Sequence, residues 1–179
     1  MGQVIQTTFF ILIAVILIEV ILMASWNKLY FTKAIPVLRR KIEITDTEKA
    51  EKRINSFITR MDNTDGFEKY KGIKAGEGLF FYRHKLITFG SKNSTGIHGT
   101  ISVDSENRCV IIKWNLDYSL LALLIYFIDC ISVGVKSAGI EMLLPFLFIS
   151  IIYAISFAFN RNKFNKLVTE VEYLINRRY

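Results

Sequence analysis

Two carboxylates interrupt long apolar runs, and they have the most unusual chemical surroundings in the sequence. Glu19 lies in Phe9–Met23, where 14 of 15 residues are apolar, and Asp129 is the only charge in Ser119–Val135. A charged side chain at the centre of a bilayer costs at least about 2.5 kcal/mol, so it usually faces protein or water. Rings of such carboxylates in an oligomer could line a path for cations. The alternative is that each is protonated or hydrogen-bonded where two helices meet.

The other chemically versatile residues form no catalytic or metal-binding set in the sequence. The two histidines, His84 and His98, have no cysteine or acidic neighbour at the spacing of a metal site. No Walker-type phosphate loop is present, and the spacing of Gly72, Gly76 and Gly78 fits a turn between strands rather than a dinucleotide fingerprint. The sequence therefore predicts neither an enzyme nor a bound cofactor.

The net charge of +7 and the aromatic run Phe80–Tyr82 would both suit nucleic-acid binding. Proteins that bind single strands place aromatic rings on an open sheet face beside basic residues. Consecutive residues of a strand point to opposite faces, so at least one of these three rings should belong to the core. Nucleic acid is therefore not the expected partner.

Three apolar blocks are long enough to cross a membrane. They are the two described above and Met142–Phe159, which carries no charge. A helix of about 20 residues rises about 1.5 Å per residue and spans a hydrocarbon core of roughly 30 Å. As core helices of a soluble protein, the last two blocks would need more surrounding chain than the remaining residues provide. The sequence predicts three transmembrane α-helices.

The first block could also be a cleaved signal peptide. Such peptides begin with basic residues and end at a small-x-small cleavage site. Residues 1–18 contain no Lys or Arg, and Ala24-Ser25 fits such a site poorly. Aromatic residues follow from Trp26 onward, a pattern typical of a membrane boundary. An uncleaved anchor is expected.

The distribution of basic residues predicts the orientation, since cytoplasmic flanks of membrane spans carry excess Lys and Arg. Lys136 alone lies between the second and third blocks, whereas eight basic residues follow the first and third: Lys28, Lys33, Arg39, Arg40, Lys41, Arg161, Lys163 and Lys166. The N-terminus is therefore predicted outside, with residues 27–116 and the tail in the cytoplasm. The expected location is the plasma (inner) membrane of a bacterium, as a multi-pass protein.

Residues 27–116 are predicted to form a small α+β domain. Thr45 and Glu48 are spaced as a capping box at a helix start. The apolar residues that follow share one helical face: Ala50, Ile54, Phe57, Ile58 and Met61. The alternation then changes to period two, and five segments have strand patterns: Phe67–Ile73, Leu79–His84, Leu86–Phe89, Ile97–Val103 and Cys109–Trp114. We expect one amphipathic helix across a four- to five-stranded antiparallel sheet.

This domain also carries the charge excess, with 17 Lys and Arg against 10 Asp and Glu in residues 27–116. Lys33, Arg39, Arg40 and Lys41 follow the first block closely, and we predict that they meet the anionic inner leaflet. Each basic residue near such a surface contributes about 1 kcal/mol. The other interpretation is that these residues only set topology and keep the domain soluble.

The predicted organisation is a transmembrane anchor (1–26), a cytoplasmic domain (27–116), a transmembrane hairpin (117–159) and a C-terminal amphipathic helix (160–179). The apolar stripe of that last helix could lie on the membrane, cover the domain or pair with another subunit. The layout favours a membrane-tethered binding, sensing or docking module, as a subunit of a complex with itself or with another protein. The alternative is an oligomeric pore or membrane-perturbing effector that is triggered through the cytoplasmic domain.

Overall fold

The computed structural model describes residues 2–60, 70–84, 97–138 and 143–176. In chain order the elements are α1 (Gly2–Ala24), α2 (Lys28–Lys33), β1 (Pro36–Glu43), α3 (Thr47–Arg60), β2 (Tyr70–Gly76), β3 (Leu79–His84), β4 (His98–Asp104), β5 (Cys109–Asn115), α4 (Tyr118–Ala138) and α5 (Leu143–Asn176). Met61, the first residues of the predicted strand Phe67–Ile73 and the whole predicted strand Leu86–Phe89 lie outside the described residues.

The chain divides into two compact units. The apolar unit consists of Met1–Ser25 and Asp117–Phe159, and the sheet unit consists of Trp26–Leu116 and Asn160–Tyr179. Helix α5 is a single helix of 34 residues, and the boundary between the two units, after Phe159, falls within it. The C-terminal amphipathic helix predicted from residue 160 is therefore not a separate element but the second half of α5. The polar residues 160–163 do not end the helix, since none of them is Gly or Pro.

In the apolar unit, α1 and α4 pack side by side and run antiparallel. The ring of Phe9, in the first half of α1, lies 6.1 Å from the ring of Tyr126 in α4. Glu19, in the last two turns of α1, contacts the first residues of α4 instead. This pairing of opposite ends fixes the direction of the two helices.

One helix among the described residues, Gln6–Ala24, is long and apolar enough to cross a membrane, a property that signal sequences share. Helix α4 contains a shorter apolar stretch, Leu121–Ser132. The sequence-based expectation of three transmembrane helices remains a prediction.

The sheet unit contains a five-stranded antiparallel sheet, as predicted, with the strand order β1-β5-β4-β3-β2. Strand β1 was not among the predicted strands. Its run Arg39–Lys41 is basic and hides the alternation of apolar and polar residues. Such a run is tolerated because β1 lies at an edge of the sheet, where charged side chains also discourage pairing with other chains.

Consecutive residues of a strand point to opposite sides of the sheet. We call side A the side that carries Phe80, Ile101 and Ile112, which form cross-strand neighbours on β3, β4 and β5. Two helices bury this side within one hydrophobic core. Helix α3 contributes Ala50, Ile54 and Ile58, and the second half of α5 contributes Phe164, Leu167 and Val171.

The end of α5 is held on the sheet unit by Arg53 of α3. Its Nη1 donates hydrogen bonds to the carbonyl oxygens of Leu174, at 2.9 Å, and Ile175, at 2.8 Å. The last carbonyls of a helix have no partner within the helix, so Arg53 acts as its C-terminal cap. Of the three placements considered for the tail, the described contacts show the one in which it covers the domain.

Helix α3 begins at Thr47, two residues after Thr45, the first residue of the predicted capping box. Its cap is Asp46, whose Oδ1 accepts a hydrogen bond from the N–H of Lys49 at 2.9 Å. Glu48 does not reach back to Thr45 but pairs with Lys52, one turn further on. A carboxylate is the stronger acceptor at the positive end of a helix, which explains why Asp46 takes this role.

We expect Gly99→Ala to destabilise the sheet unit by roughly 1–3 kcal/mol or more, the usual range for overpacking. A Cβ at this position would overlap the carbonyl oxygen of Lys113 and lie 2.8 Å from the hydroxyl oxygen of Tyr82. The measurement is guanidinium unfolding of the full chain in mild detergent, followed by the fluorescence of Trp26 and Trp114.

The matched control is Gly76→Ala on the edge strand β2, where an added Cβ has no neighbour within 4 Å. It should change the unfolding free energy by no more than about 0.5 kcal/mol. Equal effects of the two substitutions would contradict the close packing described at Gly99.

Candidate functional site

Side B of the sheet is covered by α2 over strands β3 and β4. The ring of Phe31 stacks on Phe81 with centroids 4.7 Å apart, and the ring of Tyr30 stacks on His98 at 5.0 Å. Phe31 is 1% exposed and Tyr30 is 4% exposed. His98 is therefore part of an aromatic layer between helix and sheet.

Polar contacts fix α2 in this position. Asn27 caps the helix by accepting the N–H of Tyr30 at 3.1 Å. The Nδ2 of Asn115 donates to the carbonyl oxygen of Phe31 at 2.9 Å. The N–H of Leu116 donates to the carbonyl oxygen of Ile35, just after the helix, at 2.8 Å. The helix is thus bonded to the end of β5 as well as stacked on the sheet.

Trp26 precedes this helix in a left-handed conformation, with φ of 53°. Such a backbone is uncommon for a residue other than glycine and has an energetic cost. Its ring stacks on Phe31 at 5.6 Å and lies 4.6 Å from the guanidinium carbon of Arg83. Aromatic and cation–π contacts of this kind contribute about 0.5–1.5 kcal/mol each, which offsets that cost.

The other half of side B, over β1 and β5, carries three basic residues that we call the basic half-face: Arg39, Lys41 and Lys113. Arg39 and Lys113 are direct cross-strand neighbours. Like charges at such positions destabilise a strand pair. Within the described part of the chain, neither Arg39 nor Lys113 makes an ion pair that would neutralise this repulsion. The site therefore holds uncompensated positive charge.

Acidic residues border the basic half-face at its far end. Hydrogen bonds from the side chain and the backbone N–H of Asn107 hold the pKa of Asp104 below its usual value, and the charge of Lys41 adds to this shift. Glu43 lies on the same side of β1, two residues beyond Lys41. Arg39 and Lys113 therefore form the centre of the positive charge, and Lys41 is partly compensated.

The structure divides the basic residues that were predicted to act together. Arg39 and Lys41 lie on side B, and Lys33 ends α2 on that side with an exposed side chain. Arg40 points to side A, because neighbouring strand residues alternate. The structure adds Lys113, which lies more than 70 residues away in sequence and was missed. Only the strand register of β1 against β5 would have revealed it.

Glu19 is almost completely buried, with 3% of its surface exposed. Its Oε1 accepts the N–H of Tyr118 at 2.6 Å, and its Oε2 accepts the N–H of Ser119 at 2.7 Å. The first N–H groups of a helix have no partner within it, and they carry partial positive charge. Glu19 thus caps α4 from the neighbouring helix, which is the helix-contact alternative considered for it.

Asp129 lies apart from Glu19. It is half-buried on α4, ten residues beyond Ser119, which corresponds to about 15 Å along the helix axis. Its backbone carbonyl accepts the hydroxyl of Ser132 at 2.8 Å. The two carboxylates therefore do not form one site within the chain.

No metal site is evident in the part of the chain that the structure describes, where no three His, Cys, Asp or Glu side chains cluster. The side chain of His84 lies outside the described residues. Comparison with protein-family models, with curated proteins and with solved structures gave no match. The function is therefore argued from the geometry alone.

We expect Glu19→Ala to loosen the start of α4. Losing the acceptor of a buried N–H costs about 1–3 kcal/mol, so the amides of Tyr118 and Ser119 should exchange hydrogen roughly 5- to 100-fold faster. Glu19→Gln keeps one acceptor oxygen and should have a smaller effect. NMR hydrogen exchange of the full chain in detergent micelles measures both.

Asp129→Ala removes a carboxylate from α4 itself, away from the start of that helix, and serves as the control. Its exchange rates at Tyr118 and Ser119 should match those of the unmodified chain. Unchanged exchange in Glu19→Ala would show that the cap has no energetic role.

Proposed function

We propose that this protein is a membrane-tethered binding module whose basic half-face docks on anionic lipid headgroups. The observation that carries the proposal is the pairing of Arg39 with Lys113, two like charges that face each other and, among the residues that the structure describes, form no ion pair. A phosphate group between them would convert a repulsive pair into two attractive contacts. Arginine binds phosphate through two parallel N–H groups, and lysine binds it as a point charge.

The net charge of the domain supports the same partner. Residues 27–116 carry the whole excess of +7, and the inner leaflet of a plasma membrane is anionic. Each basic residue at such a surface contributes about 1 kcal/mol, so the three residues together would contribute roughly 3 kcal/mol. This contribution should weaken as the salt concentration rises, because exposed charges are screened.

The apolar unit supplies the tether in this proposal, with α1, α4 and the first half of α5 as three spans, the N-terminus outside and the sheet unit in the cytoplasm. Supporting it, large apolar side chains are exposed along all three helices, among them Phe10, Ile21, Leu124, Ile128 and Phe159. A water-soluble surface rarely carries so much exposed apolar area, whereas lipid chains would cover it.

The pore alternative rests on Glu19 and Asp129 as cation ligands. Both oxygens of Glu19 accept hydrogen bonds from the α4 backbone, and the side chain is 3% exposed, so within the chain this carboxylate faces a helix end rather than an open path. Docking through the basic half-face is the function that the geometry supports better.

The test compares two triple variants that remove the same charge. Arg39→Gln, Lys41→Gln and Lys113→Gln empty the basic half-face, whereas Arg40→Gln, Lys49→Gln and Lys52→Gln remove three charges elsewhere in the sheet unit. Arg40 is an especially close control, since it differs from its neighbours mainly in the side to which it points. The full chain is titrated in mild detergent with phosphatidylglycerol or phosphatidylcholine, and bound lipids are counted by native mass spectrometry.

We expect the first variant to lose its preference for phosphatidylglycerol, by up to roughly 100-fold if each residue contributes about 1 kcal/mol. The second variant should keep that preference, and the unmodified chain should show it most strongly at low salt. Equal behaviour of the two variants would leave only a general charge effect and overturn the proposal.

A further inference from the structure

Helix α2 has two different surfaces. Tyr30 and Phe31 are buried against side B of the sheet, as described above. Leu29 is 69% exposed, and Ile35, just after the helix, is 54% exposed. Among the described residues of the sheet unit, three large hydrophobic side chains are more than half exposed: Leu29, Ile35 and Tyr173. Two of the three therefore lie within seven residues of each other.

Along the sequence, two lysines and a threonine with an internal hydrogen bond lie beside and between Leu29 and Ile35. Lys28 and Lys33 begin and end α2, and both are exposed. The hydroxyl of Thr32 donates to the carbonyl oxygen of Lys28 at 2.7 Å, so it does not require a water partner. Long lysine side chains can keep their ammonium groups at the phosphate level while their carbon chains lie along apolar surface.

The aromatic layer prevents α2 from burying Leu29 by turning over. Such a rotation would break the stacks of Phe31 on Phe81 and of Tyr30 on His98, and would remove the hydrogen bond from Asn115. The exposed position of Leu29 is therefore held by the fold. An apolar side chain held outward by a packed helix suits an interfacial element better than a flexible linker.

From this arrangement, and resting on the proposed function, we infer that residues 28–35 insert into the bilayer surface. Leu29 and Ile35 enter the boundary between headgroups and acyl chains, and Lys28 and Lys33 bind lipid phosphates. The occupant is a lipid bilayer rather than a protein groove for three reasons. The apolar pair is flanked by positive charge that complements anionic lipid, and the basic half-face lies on the same side of the sheet. Leu29 also follows the apolar helix α1 by only five residues.

The test places a spin label at four positions of the full chain, one at a time, through Leu29→Cys, Ile35→Cys, Lys49→Cys and Ile21→Cys. Cys130 is replaced by alanine in all of them, and Cys109 stays because it is buried. Each protein is reconstituted in vesicles of phosphatidylcholine and phosphatidylglycerol. The accessibility of the label to oxygen and to a water-soluble nickel complex then reports its depth.

We expect the labels at 29 and 35 to favour oxygen over the nickel complex several-fold more than the label at 49, which lies on the exposed surface of α3. The label at 21, in α1, serves as the reference for the acyl-chain region. The inference would be overturned if the label at 29 were as accessible to the nickel complex as the label at 49. Because positions 29 and 35 are exposed, labelling them should leave the fold intact, which the unfolding assay checks.

The two proposals fail separately. If the label at 29 lies in water while the basic half-face variant still loses its preference for phosphatidylglycerol, the domain docks by charge alone and the insertion is wrong. If the label at 29 lies at the acyl boundary while that variant keeps its lipid preference, the proposed headgroup site is wrong and the apolar contact stands by itself.

Discussion

The antiparallel pairing of β1 with β5 joins residues 36–43 to residues 109–115 and determines most of what is distinctive in the sheet unit. It places the edge strand against the last strand, so the chain must carry α3 across the sheet to begin β2 at the opposite edge. It brings Arg39 opposite Lys113. It also sets the end of β5 beside the segment before β1. There the N–H of Leu116 donates a hydrogen bond to the carbonyl oxygen of Ile35, and the side chain of Asn115 donates one to the carbonyl oxygen of Phe31 in α2.

The two sides of this sheet are used differently. Side A is closed by α3 and by the second half of α5, whose Phe164, Leu167 and Val171 belong to the same core as the strands. A domain of this size has a marginal core, so these residues are needed for its stability. An excised segment 27–116 would lack them and would leave Arg53 without the α5 carbonyls that it caps. Among the described residues, α2 covers side B over β3 and β4, and the other half of that side carries the basic residues.

Glu19 illustrates how one charge in an apolar helix can serve structure. Backbone groups at the start of a helix need acceptors, and in an apolar environment water supplies few of them. A carboxylate on the neighbouring helix satisfies two N–H groups at once and suits the positive end of the helix dipole. The two apolar helices are thereby joined at a defined register, and the carboxylate is committed to that role.

The sequence by itself determined the α+β character of the central domain, the strands that alternate clearly, and the stripe of Ala50, Ile54 and Ile58 that α3 buries, because local periodicity encodes these features. It could not show that residues 36–43 form a strand, since consecutive basic residues conceal the alternation. It could not separate Arg40 from its neighbours or join Lys113 to them, because strand register depends on contacts distant in sequence. The cap of α4 by Glu19, the aromatic layer under α2 and the exposure of Leu29 were likewise decided only in three dimensions, where each side chain meets residues that the sequence does not place beside it.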